Sequence, residues 1–345
     1  MSTSMGRAEP EERTLQAQLV DMSMAHWLSR IVYVVAELRL ADHLLDGAKS
    51  AEELAGPTAT HSPSLYRLMR ALVNLGLLTE SSERQFRLTP LGAALRQDAP
   101  GSTRASVLVC ASDWWSRAAG ELLFSVQTGK SGFEKALGAP LFEWLARNPG
   151  FAALFSETMI GFHASEPPAV AAAYEFTGLS TLVDVGGASG NMLATILEGN
   201  PSLRGILFDL PHVVQDAPAL FQARGLSKRV TIESGSFFER VPAGGDAYLL
   251  SHIIHDWNDE QSISILSNCR QAMRPDNRLL IIELVHPPPG VSQPGEILDL
   301  IMLVDVAGQE RSAEEYRVLL GKAGFGLTRI LPTKSRVSIV EAVIA

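Results

Sequence analysis

The second half of the chain alternates short apolar runs with segments in which apolar residues recur at helical spacing. This alternation predicts strands and helices in turn, as in a mostly parallel sheet covered by helices. The predicted strands are Leu182–Val185, Gly205–Phe208, Val230–Glu233, Ala247–Leu250, Leu279–Val285, Leu327–Leu331 and Val337–Ile344. Only Pro332–Ser335 separate the last two, whereas a parallel crossover needs about a dozen residues. We therefore predict an α/β fold whose seven-stranded sheet is parallel except for the last strand, which is antiparallel.

The N-terminal part has a different pattern. Apolar residues recur at helical spacing over Leu15–Leu45 and again over Ser62–Leu75. Between these segments, Ser50-Ala-Glu-Glu53 has the spacing of a helix capping box. Leu77–Glu80 and Gln85–Thr89 alternate around a polar turn and predict a small hairpin. Helices followed by a hairpin are typical of a winged helix.

A winged helix suggests a transcription factor, but the helix that begins at Ser62 carries only Arg67 and Arg70 as cations. A helix that is otherwise apolar fits a core or a subunit interface better than a DNA groove. We therefore predict that residues 1–105 form a mainly α-helical, winged-helix-like dimerisation domain and that the protein is a homodimer. The polar start, residues 1–12, is predicted to be disordered.

Residues 105–178 have mostly helical patterns and contain many aromatic side chains. Aromatic residues at helical spacing usually belong to a core, but they also wall pockets for flat ligands, and the pattern leaves both uses open. We predict a second domain, residues 106–345, in which the helical segment 106–178 contributes the substrate pocket.

Composition narrows the class of protein. The net charge of −9 argues against a nucleic-acid partner, because phosphate binding needs a positive face. Cys110 and Cys269 are far apart and have no metal or redox spacing. The N-terminus has no apolar signal-peptide core, and no run reaches the roughly 18 uncharged apolar residues of a spanning helix. We expect a cytoplasmic protein that does not contact membranes.

One stretch, Thr181–Asn191, runs from an apolar strand into a glycine turn and then a helix. Such a turn presents bare backbone N–H groups to a ligand, as in nucleotide-cofactor sites. The dinucleotide pattern fails, because Ala188 and Asn191 stand where counting from Gly186 requires glycines. Asp209 ends the second strand about 20 residues further on, where an acidic residue accepts hydrogen bonds from ribose hydroxyls. The turn predicts a nucleotide-like cofactor without naming it.

A candidate base follows the fourth strand. His255 and Asp256 precede a helix that is predicted to begin near Asp259, with Asn258 and Gln261 at its cap. They therefore lie at the carboxyl end of a strand, where open α/β sheets bind ligands. This position favours histidine as a general base.

Two histidines three residues apart, His252 and His255, also suggest a metal site, for which His286 is the obvious third ligand. We regard metal binding as the minor interpretation and predict no metal. Glu283 ends the fifth strand, and Glu310 follows the next predicted helix. Carboxylates beside an imidazole raise its pKa and fix its tautomer.

Five motifs lie in order along nearly the whole chain: Leu182-Val-Asp-Val-Gly-Gly187, Phe208-Asp-Leu-Pro-His212, His255-Asp-Trp257, Gly308-Gln-Glu-Arg311 and Ala323-Gly-Phe325. With them the chain resembles the S-adenosylmethionine-dependent small-molecule O-methyltransferases of the caffeic-acid type, whose bacterial members act in natural-product pathways. The resemblance implies a Rossmann-like methyltransferase sheet behind a winged-helix dimerisation domain, with S-adenosyl-L-methionine as the cofactor.

The resemblance also implies roles for single residues. His255 would be the general base, with Glu283 and Glu310 as its flanking partners. Asp209 would bind the cofactor ribose, and Phe237 and Trp257 would lie near the adenine. The cofactor-binding residues expected in all are Asp184, Gly186, Gly187, Asp209, Leu210, Ser236, Phe237, Ser251 and Trp257. For the methyl acceptor we expect contacts with Phe155, Met159, Phe162, Asp256 and Met302.

The chain departs from the family pattern at two positions. Family members commonly have an aspartate at the position of Ser236 and often a lysine or arginine at that of Ser251. Some relatives have lost the catalytic histidine and changed chemistry. This chain retains His255, Glu283 and Glu310, which favours methyl transfer.

The reaction expected is an in-line displacement, in which a substrate hydroxyl attacks the methyl carbon of the sulfonium and S-adenosylhomocysteine leaves. A phenol near pKa 10 is about 3.5 units above an ordinary histidine, or roughly 5 kcal/mol, and an aliphatic alcohol would be far worse. The acceptor is therefore expected to be a phenol or a similarly acidic hydroxyl of a small metabolite.

Three alternatives stay open. An NAD-dependent dehydrogenase would share the glycine turn and Asp209, but the glycine spacing and the terminal hairpin disfavour it. A ligand-sensing winged-helix regulator would bind DNA, which the acidic charge disfavours. Within the family, methylation at nitrogen or carbon is not excluded.

Overall fold

A computed structural model describes residues 14–99, 101–287, 290–291 and 296–345. The chain divides into two compact units, one of Met1–Trp115 with Gly150–Gly161 and the other of Ser116–Pro149 with Phe162–Ala345. The predicted disordered start, residues 1–12, lies outside the described residues.

The secondary structure of the described residues consists of helices, two single 3-10 turns and strands. The helices are α1 (Leu15–Met24), α2 (His26–Glu37), α3 (Leu40–His43), α4 (Ala51–Ala55), α5 (Ser62–Asn74), α6 (Pro90–Ala93), α7 (Arg104–Cys110), α8 (Asp113–Ala119), α9 (Leu122–Thr128), α10 (Gly132–Leu137), α11 (Leu141–Arg147), α12 (Pro149–Phe162), α13 (Glu166–Ala173), α14 (Asn191–Gly199), α15 (Ala217–Ala223), α16 (Asp259–Ala272), α17 (Glu296–Val306) and α18 (Ala313–Lys322). The 3-10 turns are Val214–Asp216 and Ile254–Asp256. The strands are β1 (Leu78–Glu80), β2 (Phe86–Leu88), β3 (Thr181–Val185), β4 (Arg204–Asp209), β5 (Val230–Ser234), β6 (Ala247–Ser251), β7 (Arg278–Glu283), β8 (Val285–His286), β9 (Arg311–Ser312), β10 (Phe325–Pro332) and β11 (Ser338–Ile344).

The first unit contains the predicted helices and hairpin. The capping box at the start of α4 is confirmed, because the Ser50 hydroxyl accepts from the N–H of Glu53 and the Glu53 carboxylate accepts from the N–H of Ser50. β1 and β2 pair antiparallel, and Phe86 packs in the core of this unit. The helical spacing over Leu15–Leu45 corresponds to three helices, α1, α2 and α3. The backbone of Arg39 is left-handed, with φ at 52°, and this ends α2 before α3 begins.

α1 exposes an apolar face. None of its residues is buried, and Leu15, Leu19 and Met22 recur on one side of the helix with large exposed fractions. Trp27, near the start of α2, is 56% exposed as well. Exposed apolar side chains in such a group are typical of a protein–protein contact surface.

The second unit contains a seven-stranded sheet in the order β10-β11-β7-β6-β3-β4-β5. β3, β4, β5, β6 and β7 pair in parallel, whereas β11 is antiparallel to both β7 and β10. The predicted fold class, with seven strands and an antiparallel last strand, is therefore confirmed. β11 is last in the chain but lies inside the sheet, because β10 forms the edge.

The order of the sheet reverses at β3, which lies between β4 and β6. Ligands bind at such a reversal, outside the carboxyl ends of the strands. Apolar residues fill both faces of the sheet, with α13 and α14 on one side and α16 and α18 on the other. The chain turns that follow β3, β4, β6 and β7 therefore meet at one edge above a rigid core. None of the helices in the described ranges is both long enough and apolar enough to cross a lipid bilayer.

Candidate active site

The turn after β3 needs glycine at two positions. Gly186 and Gly190 have φ of 73° and 83°, in the left-handed region that favours glycine. A Cβ on Gly186 would lie 2.4 Å from Cδ1 of Ile253, and a Cβ on Gly190 would lie 2.4 Å from Cζ of Phe221. The backbone of the turn is therefore bare because both its conformation and its neighbours exclude a side chain.

Asp184 lies beneath this turn and has lost all contact with solvent. Neither of its carboxylate oxygens has a hydrogen-bond partner among the described residues, and a Cβ on Gly187 would lie 2.5 Å from its Cγ. Burial, with a smaller contribution from Asp209, raises the pKa of Asp184 to about 7. A buried carboxylate without a partner is costly unless a bound donor satisfies it.

Asp209 ends β4 and faces the same turn. Its Oδ2 accepts from the N–H of Ala188 at 2.9 Å, and its Oδ1 accepts from the N–H of Leu210 at 2.6 Å. Burial raises the pKa of Asp209, and these two N–H groups oppose the rise. Each carboxylate oxygen can accept a second hydrogen bond, so Asp209 retains acceptor capacity for hydroxyl groups.

Aromatic side chains gather beyond the carboxyl ends of β5 and β6. The ring of Trp257 lies 6.1 Å from that of Phe237 and 4.8 Å from that of Phe238, in both cases edge-on. The indole N–H of Trp257 is buried and has no partner among the described residues. Ser236 shapes the preceding turn, because its hydroxyl accepts from the N–H of Phe238 at 3.2 Å. Ser251 is the last residue of β6.

His255 lies in the 3-10 turn after β6 and is almost completely buried. Its Nδ1 is 2.8 Å from Oε1 of Glu310, and its Nε2 is 3.5 Å from Oδ1 of Asp256. Because a carboxylate can only accept, Nδ1 carries a proton and Nε2 is the nitrogen that can exchange one.

Glu283, at the end of β7, contacts the backbone of the same turn rather than the imidazole. Its Oε1 accepts from the N–H groups of Ile253, Ile254 and His255 at 3.1, 2.6 and 3.1 Å. Its Oε2 accepts from the hydroxyl of Tyr316. Glu283 therefore fixes the position of the turn, whereas Glu310 orients the ring.

The charges around His255 decide its protonation. Burial disfavours the imidazolium, but Asp256, Glu310 and Glu283 outweigh burial and raise the pKa of His255 from 6.5 to about 10. Burial raises the pKa of Asp256 to about 7, although His255 opposes this rise. His255 is therefore a much stronger base than an ordinary histidine.

Further side chains in this region had no assigned role in the sequence analysis. The guanidinium of Arg311 is buried and donates to the carbonyl oxygens of Ile254 and Trp257, both at 2.9 Å. Arg311 therefore holds the carbonyl side of the turn whose N–H groups Glu283 holds. Asp305 is buried, and burial together with Asp256 raises its pKa to about 7. The sequence signal for Asp305 was its charge within an otherwise apolar segment, and that for Arg311 was its place in the motif Gly308-Gln-Glu-Arg311.

The residues expected to contact the methyl acceptor are divided between the two units. Asp256 and Met302 belong to the unit that contains His255, as does Phe162, which is 45% exposed. Phe155 and Met159, on α12, belong to the other unit and are partly buried. Their role stays a prediction.

The minor metal interpretation named His252, His255 and His286 as ligands. In the described part of the chain, the group of potential ligand atoms that lie within 4.8 Å of one another is instead His163, Glu166 and His252. The histidine pair is therefore divided, since His255 pairs with Glu310 and His252 pairs with Glu166.

A sheet that reverses at a glycine turn and includes an antiparallel β11, with an acidic residue after β4 and a His–Glu pair after β6, is the arrangement expected of a Rossmann-like methyltransferase. Comparison with known proteins gives the same class. Residues 120–326 match the O-methyltransferase domain family, and residues 20–98 match the O-methyltransferase dimerisation domain. The chain belongs to this O-methyltransferase family, which confirms the resemblance seen in the sequence.

Three similar proteins illustrate the family. A phenazine O-methyltransferase of Lysobacter antibioticus is 41% identical over 95% of this chain and 96% of its own length. A phenazine-1-carboxylate N-methyltransferase of Pseudomonas aeruginosa is 34% identical over 93% of this chain and 96% of its own. The O-methyltransferase NcsB1 from neocarzinostatin biosynthesis, solved with S-adenosylmethionine and 2-hydroxy-5-methyl naphthoic acid, is 34% identical and has a TM-score of 0.82. That likeness covers 92% of this chain and 96% of NcsB1.

The residues at the glycine turn fit the same cofactor. S-adenosylmethionine carries an ammonium group and ribose hydroxyls, all of which donate hydrogen bonds. The orphaned carboxylate of Asp184 and the remaining acceptor capacity of Asp209 match these donors, and a Cβ at Gly186 or Gly187 would intrude on neighbouring atoms. The donors and acceptors of this chain therefore suit a ligand of that chemistry.

Proposed function

We propose that the protein methylates a phenolic hydroxyl of a small aromatic metabolite and that His255 is the general base. The observation that carries the proposal is the 2.8 Å contact between Nδ1 of His255 and Glu310, within a turn fixed by Glu283. This arrangement leaves Nε2 of an oriented, strongly basic imidazole to take the proton from the acceptor.

The proposed methyl donor is S-adenosyl-L-methionine, which supplies an electrophilic methyl carbon when bound. Asp184, Gly186 and Gly187 would hold its amino-acid part, Asp209 its ribose, and Trp257 with Phe237 its adenine. The remaining members of the expected set, Leu210, Ser236 and Ser251, are proposed at the rim of the same site.

The class of acceptor follows from the relatives and from the base. The Lysobacter relative is named for phenazines, and NcsB1 was solved with a hydroxylated naphthoic acid. Both are flat aromatic compounds. A pKa of about 10 for His255 matches that of a phenol, so proton transfer from the hydroxyl to Nε2 costs little free energy. The surrounding carboxylates thus lower the roughly 5 kcal/mol that proton transfer to an ordinary histidine would cost, but below about pH 10 the imidazole must first release its own proton.

The chain is also proposed to act as a homodimer through its N-terminal part. The match to a dimerisation domain over residues 20–98 and the exposed apolar face of α1 support this proposal.

The direct test replaces His255 with alanine and measures methyl transfer to hydroxylated phenazines and naphthoic acids at saturating cofactor. Loss of a general base is expected to lower turnover by about 10²-fold or more. His286→Ala, on β8, is a matched control outside the turn and should keep its activity. Calorimetric titration with S-adenosylhomocysteine should give similar affinities for both variants. Near-normal turnover in His255→Ala would contradict the assignment of the base.

A second candidate function is methylation at nitrogen, which the relationship to the Pseudomonas N-methyltransferase favours. A neutral ring nitrogen has a free lone pair and needs no base before it attacks. The same His255→Ala variant therefore separates the two functions. Turnover on a nitrogen acceptor that is insensitive to the loss of His255, with no turnover on any phenol, would favour N-methylation.

A further inference from the structure

His252 connects β6 to the turn that carries the proposed base. Its backbone is left-handed, with φ at 54°, a conformation that is uncommon outside glycine and in which histidine is found more often than most other residues. Its N–H donates to the carbonyl oxygen of Ile282 on β7 at 3.1 Å, which is the last backbone hydrogen bond before the chain leaves the sheet. The next three N–H groups, those of residues 253–255, all point at Glu283. The backbone of His252 therefore sets the direction in which these groups point.

The ring of His252 is held from outside the turn. Its Nε2 lies 2.6 Å from Oε2 of Glu166, a carboxylate that is only 1% exposed at the start of α13. The other oxygen of Glu166 accepts from Nε of Arg336 at 3.0 Å, and the ring of His163 lies 3.9 Å from that of His252. Nδ1 of His252 is buried and makes no hydrogen bond in the described part of the chain, so its Nε2 is the ring's single polar anchor.

We propose that His252 is a positioning residue for the methyl-transfer reaction and that Glu166 and Arg336 hold it in place. We name these three residues the His252 clasp. The clasp fixes the left-handed backbone of His252. This backbone in turn aligns the N–H groups of the turn with Glu283, and thereby the ring of His255 with Glu310. This inference rests on the proposed role of His255.

The charges within the clasp agree with this role. Burial lowers the pKa of His252 to about 4, so the ring is neutral and donates through Nε2. Hydrogen bonds from His163 and His252 overcome burial and lower the pKa of Glu166 well below its ordinary value, so its carboxylate is an anionic acceptor. A guanidinium nitrogen of Arg336 lies 3.2 Å from Nδ1 of His163. A metal ion among His163, Glu166 and His252 would have to sit against this cation, which favours a hydrogen-bonded clasp over a metal site.

The first test compares Glu166→Gln with Glu341→Gln. His252 and Arg336 contact different oxygens of the Glu166 carboxylate, and an amide replaces one of these oxygens with a donor NH2 group, so one of the two hydrogen bonds is lost. Glu341 is a matched control, because it is also buried and accepts from an arginine, Arg329, at 2.6 Å. Both residues lie on the C-terminal hairpin formed by β10 and β11. Glu341 has no contact with the turn. Both changes should lower thermal stability, so stability alone does not distinguish them.

Two measurements on the full chain with bound S-adenosylhomocysteine or cofactor decide the question. Amide hydrogen exchange of residues 253–255 should become faster by about tenfold in Glu166→Gln and stay unchanged in Glu341→Gln. The kcat for methyl transfer should fall by about tenfold to a hundredfold in Glu166→Gln alone, with little change in the KM for cofactor. The exchange measurement needs no turnover, so it tests the clasp even if the proposed function fails.

A second series separates the backbone of His252 from its ring. His252→Gly keeps a left-handed backbone but loses the anchor, and His252→Asn tolerates that backbone and retains a polar side chain. The proposal expects a lower kcat for His252→Gly than for His252→Asn. It would be overturned if the two variants had equal kcat, if exchange in Glu166→Gln did not exceed that in Glu341→Gln, or if turnover required one equivalent of Zn²⁺ bound at the cluster.

Discussion

Replacing Glu310 with glutamine tests whether the carboxylates around His255 set the strength of the base. Oε1 of Glu310 lies 2.8 Å from Nδ1 of His255, in surroundings where Glu310 is only 5% exposed. Glutamine keeps the size of the side chain and an acceptor oxygen, so the tautomer of His255 is preserved. The substitution removes the negative charge of Glu310.

The size of the effect follows from the contact. A hydrogen bond to a charged partner contributes about 1.5–3 kcal/mol, and a neutral one contributes about 0.5–1.5 kcal/mol. The difference of about 1–1.5 kcal/mol corresponds to about one pKa unit. The sign is fixed, because a carboxylate favours the imidazolium and its removal lowers the pKa. The pKa of His255 should therefore fall from about 10 to about 9, since Asp256 and Glu283 remain.

The assay is the pH dependence of kcat/KM between about pH 6 and about pH 10, which reports the pKa values of the free enzyme. In the wild type, kcat/KM should rise with pH over most of this range, because only the neutral imidazole accepts a proton. In Glu310→Gln the inflexion should move down by about one unit, and the value above it should fall by at most about tenfold. Glu314→Gln, an exposed carboxylate paired with Arg317, serves as the control and should leave the inflexion in place.

The reasoning would be refuted by an inflexion near 6.5 in the wild type, or by one that does not move in Glu310→Gln. Either result would mean that the carboxylates do not act on His255 as the geometry requires. A nitro-substituted phenol that is ionised throughout the range separates the base from the acceptor. With this acceptor kcat/KM should no longer rise with pH, because no proton has to be removed.

Three further predictions concern the glycine turn and the exposed face of α1. Gly190→Ala should destabilise the protein by about 1–3 kcal/mol and weaken S-adenosylhomocysteine binding, because its Cβ would overlap Phe221 at a positive φ; thermal melts and calorimetry measure both effects. The raised pKa of Asp184 means that its ionisation costs stability as the pH rises from about 4 to about 7. Asp184→Asn should therefore raise the melting temperature of the unliganded protein more at about pH 8 than at about pH 4, while weakening cofactor binding. Leu19→Glu with Met22→Glu should convert the proposed dimer into monomers, measured by light scattering after size exclusion.

The sheet could be predicted because the sequence pattern of each strand and the length of each connection are local features of the chain. Most strands of the sheet contain an apolar run, and the short link at Pro332–Ser335 excludes a parallel connection from the sequence alone. Helix starts with a capping residue could be predicted equally well from the sequence, as at Ser50 and at Asn258, whose side chain accepts from the N–H of Gln261. The break at Arg39 carried no such signal, because no glycine marks its left-handed backbone.

The candidate site was predictable to the level of the sheet edge and no further. Topology brings Glu283 and Glu310 near His255. The directions of their side chains decide that Glu283 contacts the backbone of the turn and that Glu310 contacts the ring. The pairing of His252 with Glu166 spans 86 positions, and its spacing in sequence suggested a different partner. Arg311 could not be assigned a role from the sequence, because the carbonyl groups to which a buried arginine donates are known only from the structure.

The pKa of His255 also limits which hydroxyl the site can use. An aliphatic hydroxyl has an acidity similar to that of water, whose pKa is about 15.7. A base of pKa about 10 is then short by almost six units, or about 8 kcal/mol, even after Asp256, Glu310 and Glu283 have acted. For a phenol the same base is matched. Grouping three carboxylates around a buried imidazole costs the fold stability, and the result is a base whose pKa matches that of a phenol. If His255 is the base, as proposed, the arrangement of charge around it favours acidic hydroxyls over aliphatic ones, independently of the shape of the pocket.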